Sequence, residues 1–152
     1  MTLGRCPRIL RGYGITADDA PTIDRVAATV WVKDARKTGS WIVEWNGGPI
    51  GTARLHSVAS HDARATVALG LVDGRALSRE FGSKALSFVL DHASDALRLH
   101  RLCLRVLASI APAIRCYERA GFVLEGRDGK AALTGWGRAD DLIHGVLAGD
   151  RP

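Results

Sequence analysis

The tripeptide Asn46-Gly47-Gly48, placed between two β-prone segments, is the feature of this chain that most constrains its fold. Asparagine followed by glycine tolerates the positive φ angles that a tight two-residue turn requires. The flanking segments, Trp41 to Trp45 and Pro49 to His56, are rich in the apolar and β-branched residues of strands. We therefore predict an antiparallel hairpin over residues 41–56.

The spacing of apolar residues predicts alternating strands and helices in the rest of the chain. Thr66 to Val72 is β-branched and stops at Asp73-Gly74, whereas residues 83–97 carry apolar side chains at helical spacing. Residues 102–106 alternate as in a strand. Pro112 suits the first turn of a second helix, and Gly121 suits the position just after its end. The closing strands are predicted at 122–124 and 142–147.

The first 40 residues give weaker signals. Pro7 to Leu10 is a short apolar run that fits an edge strand, and Thr16 with Asp19 forms a helix-start pattern. Residues 32–40 are polar and basic and predict a loop or an irregular helix. At 152 residues with one continuous series of elements, the chain is predicted to be a single α/β domain, 1–152, with a mixed sheet.

Composition limits the possible environments and ligands. The sequence has no apolar run long enough to cross a bilayer and no secretory signal pattern, which predicts a cytoplasmic protein with no membrane partner. Three widely spaced cysteines without metal-ligand spacing predict free thiols and no metal site. The net charge of +5 suits a phosphorylated ligand as well as a nucleic acid, but no single arm or helix concentrates the basic residues, which argues against a nucleic-acid partner.

Two segments carry a specific family resemblance. They read LHRLCLRV at residues 99–106 and AIRCYERAGFVLEG at residues 113–126, and GGPIGTARLH at 47–56 fits the same comparison. Together with the helix between them, they resemble GNAT acyltransferases of the ribosomal-protein N-acetyltransferase (RimJ/RimL) type. The resemblance implies a mostly antiparallel sheet splayed between its middle strands, 66–72 and 101–107, with helices on both faces.

The resemblance also implies a binding site for acetyl-CoA as co-substrate. Its pyrophosphate would meet the backbone at the start of the helix near Ser83, where unpaired N–H groups and the helix dipole favour an anion. Pantetheine would pair along Leu69 to Val72, with a backbone donor near Leu71 polarising the thioester. Tyr117 matches the family's general acid. The implied donor-site residues are Leu69, Gly70, Leu71, Val72, Leu77, Arg79, Glu80, Phe81, Gly82, Ser83 and Ile110.

Four positions differ from the family pattern. Glu80 stands at an inner glycine of the pyrophosphate loop, and Leu77 at its leading basic residue. Ile110 replaces an asparagine, and Ala68 replaces a strand carboxylate that serves as base. Two arrangements would limit the effect of Glu80: the neighbouring cations Arg79 and Arg75 offset its charge, or its side chain points to solvent. The candidate substitutes for the missing base are Glu44, His61 and Asp62; His56 and His100 match family positions but are predicted to be structural.

The sequence leaves three functions open. The first is transfer of an acyl group from acetyl-CoA to a primary amine, either a small molecule or a protein N-terminus. The second is a GNAT-fold binding module that has lost turnover, and the third is a transferase that uses another activated donor, such as an aminoacyl-tRNA. A homodimer is also possible. The identity of the acceptor is not encoded in any motif.

Overall fold

The computed structural model describes residues 39–150, together with Pro7, Leu10 and Thr16. The predicted helix from Thr16 and most of the predicted loop 32–40 lie outside the described residues. Pro7 and Leu10 are both helical, so the predicted edge strand at 7–10 is wrong. Proline is tolerated in the first turn of a helix, and short apolar runs do not by themselves distinguish a strand from a buried helix.

The described chain forms six strands, two α-helices and two short helical turns. In chain order they are β1 (Ser40–Trp45), β2 (Gly48–Ala59), β3 (Arg64–Leu71), a 3₁₀ turn (Gly74–Ala76), α1 (Phe81–Asp91), a π-helical turn (His92–Ala96), β4 (Arg101–Leu107), α2 (Ala111–Arg119), β5 (Val123–Thr134) and β6 (Gly137–Leu147).

The strands form one mixed sheet in the order β1-β2-β3-β4-β6-β5. Every neighbouring pair is antiparallel except β3 and β4, which are parallel. The predicted hairpin is confirmed: β1 pairs with β2 around Asn46 and Gly47, whose φ angles of 50° and 74° are those of a tight β-turn. The predicted α/β fold with a mixed, mostly antiparallel sheet is likewise confirmed.

The hydrophobic core lies between one face of this sheet and the two helices. Alternate residues of the strands, among them Leu55, Val67 and Leu104, are buried together with residues of α1 and with Tyr117 of α2. His144 of β6 is also buried, and its Nδ1 atom has no hydrogen-bond partner among the residues that the structure describes. We call the opposite side of the sheet, where Arg54, His56, Thr66, Ala68, Arg101, Cys103 and Arg105 alternate with these core residues, the polar face.

The closing hairpin is much longer than predicted. Strand β5 ends at Thr134, ten residues after the end of the predicted segment 122–124. Strand β6 begins at Gly137, five residues before the predicted segment 142–147. Residues 125–141 are mostly charged or small, so they show no apolar alternation. Cross-strand polar contacts stabilise them instead: Arg127 pairs with Asp140, which also accepts a hydrogen bond from the backbone N–H of Lys130 at 2.7 Å.

Candidate active site

The parallel contact between β3 and β4 is short. It joins three residue pairs and ends at Thr66 and Cys103, although β3 continues to Leu71 and β4 to Leu107. Beyond this point β4 pairs only with β6 on its other side, and β3 only with β2. The sheet therefore contains a wedge-shaped gap between its two middle strands, and we call the Thr66–Cys103 end of this gap its vertex.

The backbone of β3 presents polar groups to this gap. The N–H of Val72 donates to the carbonyl of Ile50 on β2 at 2.7 Å, so the backbone groups of Val72 and Gly70 point toward β2. Backbone direction alternates along a strand. The N–H and C=O groups of Leu69 and Leu71 consequently point into the gap, where no strand of the described chain pairs with them.

The first turn of α1 lies beside the gap and presents unpaired donors. The first hydrogen bond of the helix runs from the N–H of Lys84 to the carbonyl of Glu80 at 2.9 Å. Glu80 is the N-cap residue, and its side chain caps no amide. Within the described chain, the N–H groups of Phe81, Gly82 and Ser83 have no acceptor, which makes this helix start favourable for an anion.

The charged side chains of the preceding loop each contact another side chain. Glu80 pairs with Lys84, one helical turn later, at 3.1 Å, and its side chain is 81% exposed. Arg79 lies over the ring of Trp45 at 5.0 Å, and Arg75 pairs with Asp73 at 2.7 Å. The alternative that Glu80 points to solvent is therefore confirmed, and the one in which Arg79 and Arg75 offset it is wrong, because each arginine has another partner.

Gly82 and Ser83 bring the start of α1 against both sides of the gap. A Cβ atom on Gly82 would lie 3.7 Å from Sγ of Cys116 on α2 and 3.9 Å from Cδ2 of Leu69 on β3. The hydroxyl of Ser83 is 3.4 Å from the same sulfur. The small side chains at 82 and 83 therefore let α1 approach β3 and α2 closely at the mouth of the gap.

Tyr117 and Ile110 belong to the other wall of the site. Tyr117, on α2, is 8% exposed, and its ring packs edge-to-face against Phe122 with centroids 6.1 Å apart. Ile110 is the N-cap residue of α2 and packs against the core, and it makes no side-chain capping bond. The tyrosine ring thus packs between α2 and the sheet, whatever the role of its hydroxyl.

A cavity of about 240 Å³ opens beside the vertex, between β2, β3 and β4. Its lining residues are Ser57, Ala59, Arg64, Ala65, Thr66 and Cys103. His56 is paired with Thr66 across the ladder, and its Nδ1 atom is 3.2 Å from the hydroxyl of Ser57. Burial, and then the positive charge of Arg54, lower the pKa of His56 below its ordinary value of 6.5. Its imidazole is therefore mainly neutral at pH 7.

A family model described as the acetyltransferase (GNAT) domain matches residues 5–123. The chain belongs to the GNAT acetyltransferase family. It is therefore an enzyme of the class that transfers an acyl group from acyl-CoA to an amine. No curated protein sequence is significantly similar to the chain.

Solved structures of GNAT enzymes share the fold at low sequence identity. A spermidine N-acetyltransferase (SpeG) mutant from Vibrio cholerae has a TM-score of 0.71 and 21% identity, covering 79% of this chain and 72% of its own. Mycobacterium smegmatis RimJ in complex with CoA-disulfide scores 0.74 at 19% identity, with coverages of 84% and 64%. A ribosomal-protein-alanine N-acetyltransferase from Brucella melitensis scores 0.74 at 15% identity, with coverages of 84% and 80%.

The GNAT position that lacks its carboxylate is on the polar face. Ala68 lies opposite Arg54 in the β2–β3 ladder and borders the gap. Glu44, His61 and Asp62, the predicted substitutes, are all exposed, and Asp62 pairs with Arg64 at 3.3 Å. His56 is the histidine whose ladder partner, Thr66, forms the vertex. Its match to a family position was visible in the sequence, but its lowered pKa depends on burial that the sequence does not show.

The described part of the chain lacks two other features. In residues 39–150, no cluster of three or more histidine, cysteine, aspartate or glutamate side chains has a geometry suited to a metal ion. In the same part of the chain, no helix is both long enough and apolar enough to cross a membrane.

Proposed function

We propose that this GNAT enzyme transfers an acetyl group from acetyl-CoA directly to a primary amine, with donor and acceptor bound together. The unpaired amides of Phe81, Gly82 and Ser83 beside the gap are the main support, because they form an anion site where a pyrophosphate can reach. The exposed backbone of Leu69 and Leu71 offers hydrogen bonds to the amide groups of pantetheine.

The donor's path follows from these positions. Leu69 touches the helix start, and Thr66 at the vertex is three residues away, or about 10 Å along the strand. Pantetheine extended along β3 from the helix start therefore brings the thioester close to the vertex. A strand N–H directed into the gap then stabilises the negative charge that develops on the thioester oxygen during attack.

The amine approaches the vertex from the polar face. The cavity beside Thr66 and Cys103 gives it room, and the neutral imidazole of His56 accepts its proton. Tyr117 then donates a proton to the departing CoA sulfur, because a free thiolate readily attacks the product in reverse. Relatives named for spermidine and for ribosomal proteins support an amine acceptor, either a small molecule or a protein N-terminus.

Calorimetry and a thiol-release assay test this function directly. We expect acetyl-CoA and CoA to bind and an amine panel to release CoA. Binding without release of CoA by any amine favours the module that has lost turnover. Binding of free tRNA, with neither CoA nor acetyl-CoA bound, favours another activated donor.

Glu80→Gly is expected to strengthen CoA binding only slightly. The carboxylate is close to the proposed pyrophosphate site but is exposed and already paired with Lys84, so we expect a gain of about twofold to fivefold. Calorimetry at low and high salt measures it, and the gain should shrink as salt screens the charges.

Lys84→Gln is the matched variant, because it frees the Glu80 carboxylate from its partner. It should weaken CoA binding, and the double variant should bind more tightly than Lys84→Gln alone. If Glu80→Gly weakens binding at every salt concentration, the carboxylate does not repel the donor.

Gly82→Ala and Gly82→Leu are expected to differ sharply. A methyl group fits in ordinary contact with Cys116 and Leu69, whereas a leucine must displace α1 from both. Overpacking of this kind costs about 1–3 kcal/mol of unfolding free energy. The leucine variant should therefore lose stability and CoA affinity together, and the alanine variant neither, in thermal melts and titrations. A leucine variant that melts like the wild type contradicts this packing role.

A further inference from the structure

The polar face carries two half-buried arginines with different surroundings. Arg101 forms an ion pair with Glu125. The guanidinium of Arg54 has no ion pair and no hydrogen bond with any residue that the structure describes. For a guanidinium that has lost part of its water and has no anion beside it, nothing offsets the free-energy cost of desolvation. A carboxylate offsets this cost by accepting two parallel hydrogen bonds from the guanidinium.

Arg54 is positioned to reach the reaction site. It lies directly opposite Ala68 on β3. Ala68 is two residues beyond Thr66, the last residue of β3 that pairs with β4, and so it borders the gap. Because alanine has only a methyl group, the arginine side chain can extend across this position toward the gap. His56 lies two residues further along β2 on the same face, at about 7 Å, which is one strand repeat.

The carboxylates around the vertex are already neutralised. Asp62 pairs with Arg64, and Glu125 pairs with Arg101. Asp128 and Asp141 both pair with Arg105, at 2.6 and 3.1 Å. Among the charged side chains that β2, β3 and β4 carry on the described part of this face, the one without a partner is therefore the cation of Arg54. The surface suits an acceptor that brings an anion and disfavours one that carries several positive charges.

We propose that Arg54 binds a carboxylate of the acceptor and thereby selects amines that carry an acid group a few bonds from the nitrogen. The inference rests on the proposed acetyl transfer. The acceptor's own carboxylate takes the space that Ala68 leaves, and its amine then lies near His56 and the vertex. A free amino acid and a protein N-terminus with an acidic residue next to it both provide this chemistry.

A thiol-release assay with matched acceptors tests the selection. The pairs are alanine with alaninamide, and the amidated peptides Ala-Glu with Ala-Gln; spermidine is the polycationic probe. We expect the carboxylate to raise kcat/KM by about ten- to hundredfold within one or both pairs, chiefly through KM, as a charged hydrogen bond does. Preference in the first pair identifies a free amino acid, and preference in the second identifies an N-terminus.

Two variants distinguish Arg54 from a general effect of charge. Arg54→Gln should abolish the preference, whereas Arg138→Gln, which removes an exposed arginine on β6, should keep it. Ala68→Glu places a carboxylate opposite Arg54 and should also abolish the preference, because the guanidinium then has an internal partner. A preference that survives both substitutions at this pair overturns the proposal, as does a wild type that favours spermidine or the amides.

A binding measurement keeps the inference separate from the proposed reaction. N-acetylalanine and N-acetylalaninamide are titrated into the enzyme in the presence of CoA, as are the acetylated Ala-Glu and Ala-Gln peptides. Selective binding of either acid, lost in Arg54→Gln, supports the carboxylate site even if no acceptor is acetylated. Equal binding of acid and amide in both pairs overturns the carboxylate site even if other amines are acetylated.

Discussion

Tyr117→Phe is expected to lower the rate of acetyl transfer by roughly tenfold to a thousandfold, the effect of losing a general acid. Phenylalanine keeps the ring that packs against Phe122, so we expect little change in CoA affinity and a fall in melting temperature no larger than the loss of the hydroxyl's own contacts produces. The loss should therefore appear in kcat. Steady-state kinetics with titration calorimetry and thermal melting on the same samples measure all three quantities.

Phe122→Leu is the matched control for Tyr117. It removes the edge-to-face contact but keeps the phenol, so it should lower the melting temperature more than it lowers kcat. The opposite pattern, with Tyr117→Phe as active as the wild type, would assign the tyrosine to packing alone.

His56→Gln is expected to lower kcat/KM by roughly a hundredfold to ten-thousandfold, the range for a lost general base. Because burial and Arg54 hold the pKa of His56 below 6.5, activity in the wild type should fall only when the pH drops below that value. The variant should not show this loss of activity at acidic pH. His100→Gln, which alters the exposed histidine just before β4, is the control. It should retain both the wild-type rate and the loss of activity at acidic pH.

The same shift in pKa has a consequence for stability. The unfolded chain binds a proton at His56 more readily than the folded protein does, so the free energy of unfolding contributed by this group falls as the pH decreases through 6.5. His56→Gln should flatten this part of the stability curve. A pH profile of chemical unfolding that is identical in the two proteins would show that His56 titrates normally.

Local chemistry explains which parts of the fold the sequence predicts well. The turn at Asn46 and Gly47, the strand before Asp73 and the second helix between Pro112 and Gly121 each depend on residues adjacent in the chain. The closing hairpin does not, because its strands are held by contacts such as Arg127 with Asp140, thirteen residues apart. Helix α1 also ends at Asp91, earlier than the apolar spacing to Leu97 predicts, and continues as a π-helical turn.

The candidate site shows the same limit at the level of single residues. The resemblance placed the pyrophosphate loop on Leu77 to Ser83, and α1 starts within that segment, at Phe81. It did not reveal that Lys84 forms an ion pair with Glu80, that Gly82 packs near Cys116 and Leu69, or that burial lowers the pKa of His56. Each of these depends on which side of an element a residue occupies and on what packs against it.

In residues 39–150, the backbone connection between the two three-stranded halves of the sheet is the three residue pairs that join β3 to β4, with the hydrogen bonds from the N–H groups of His100 and Arg101 to the carbonyl of Ala63. The halves are otherwise held together by side chains packed under the helices. Isotope exchange should therefore be fast at the amides of Leu69 and Leu71 in the free enzyme and slow when an extended ligand fills the gap, as if a strand had been added. The donor then acts as a temporary structural part of the protein that consumes it.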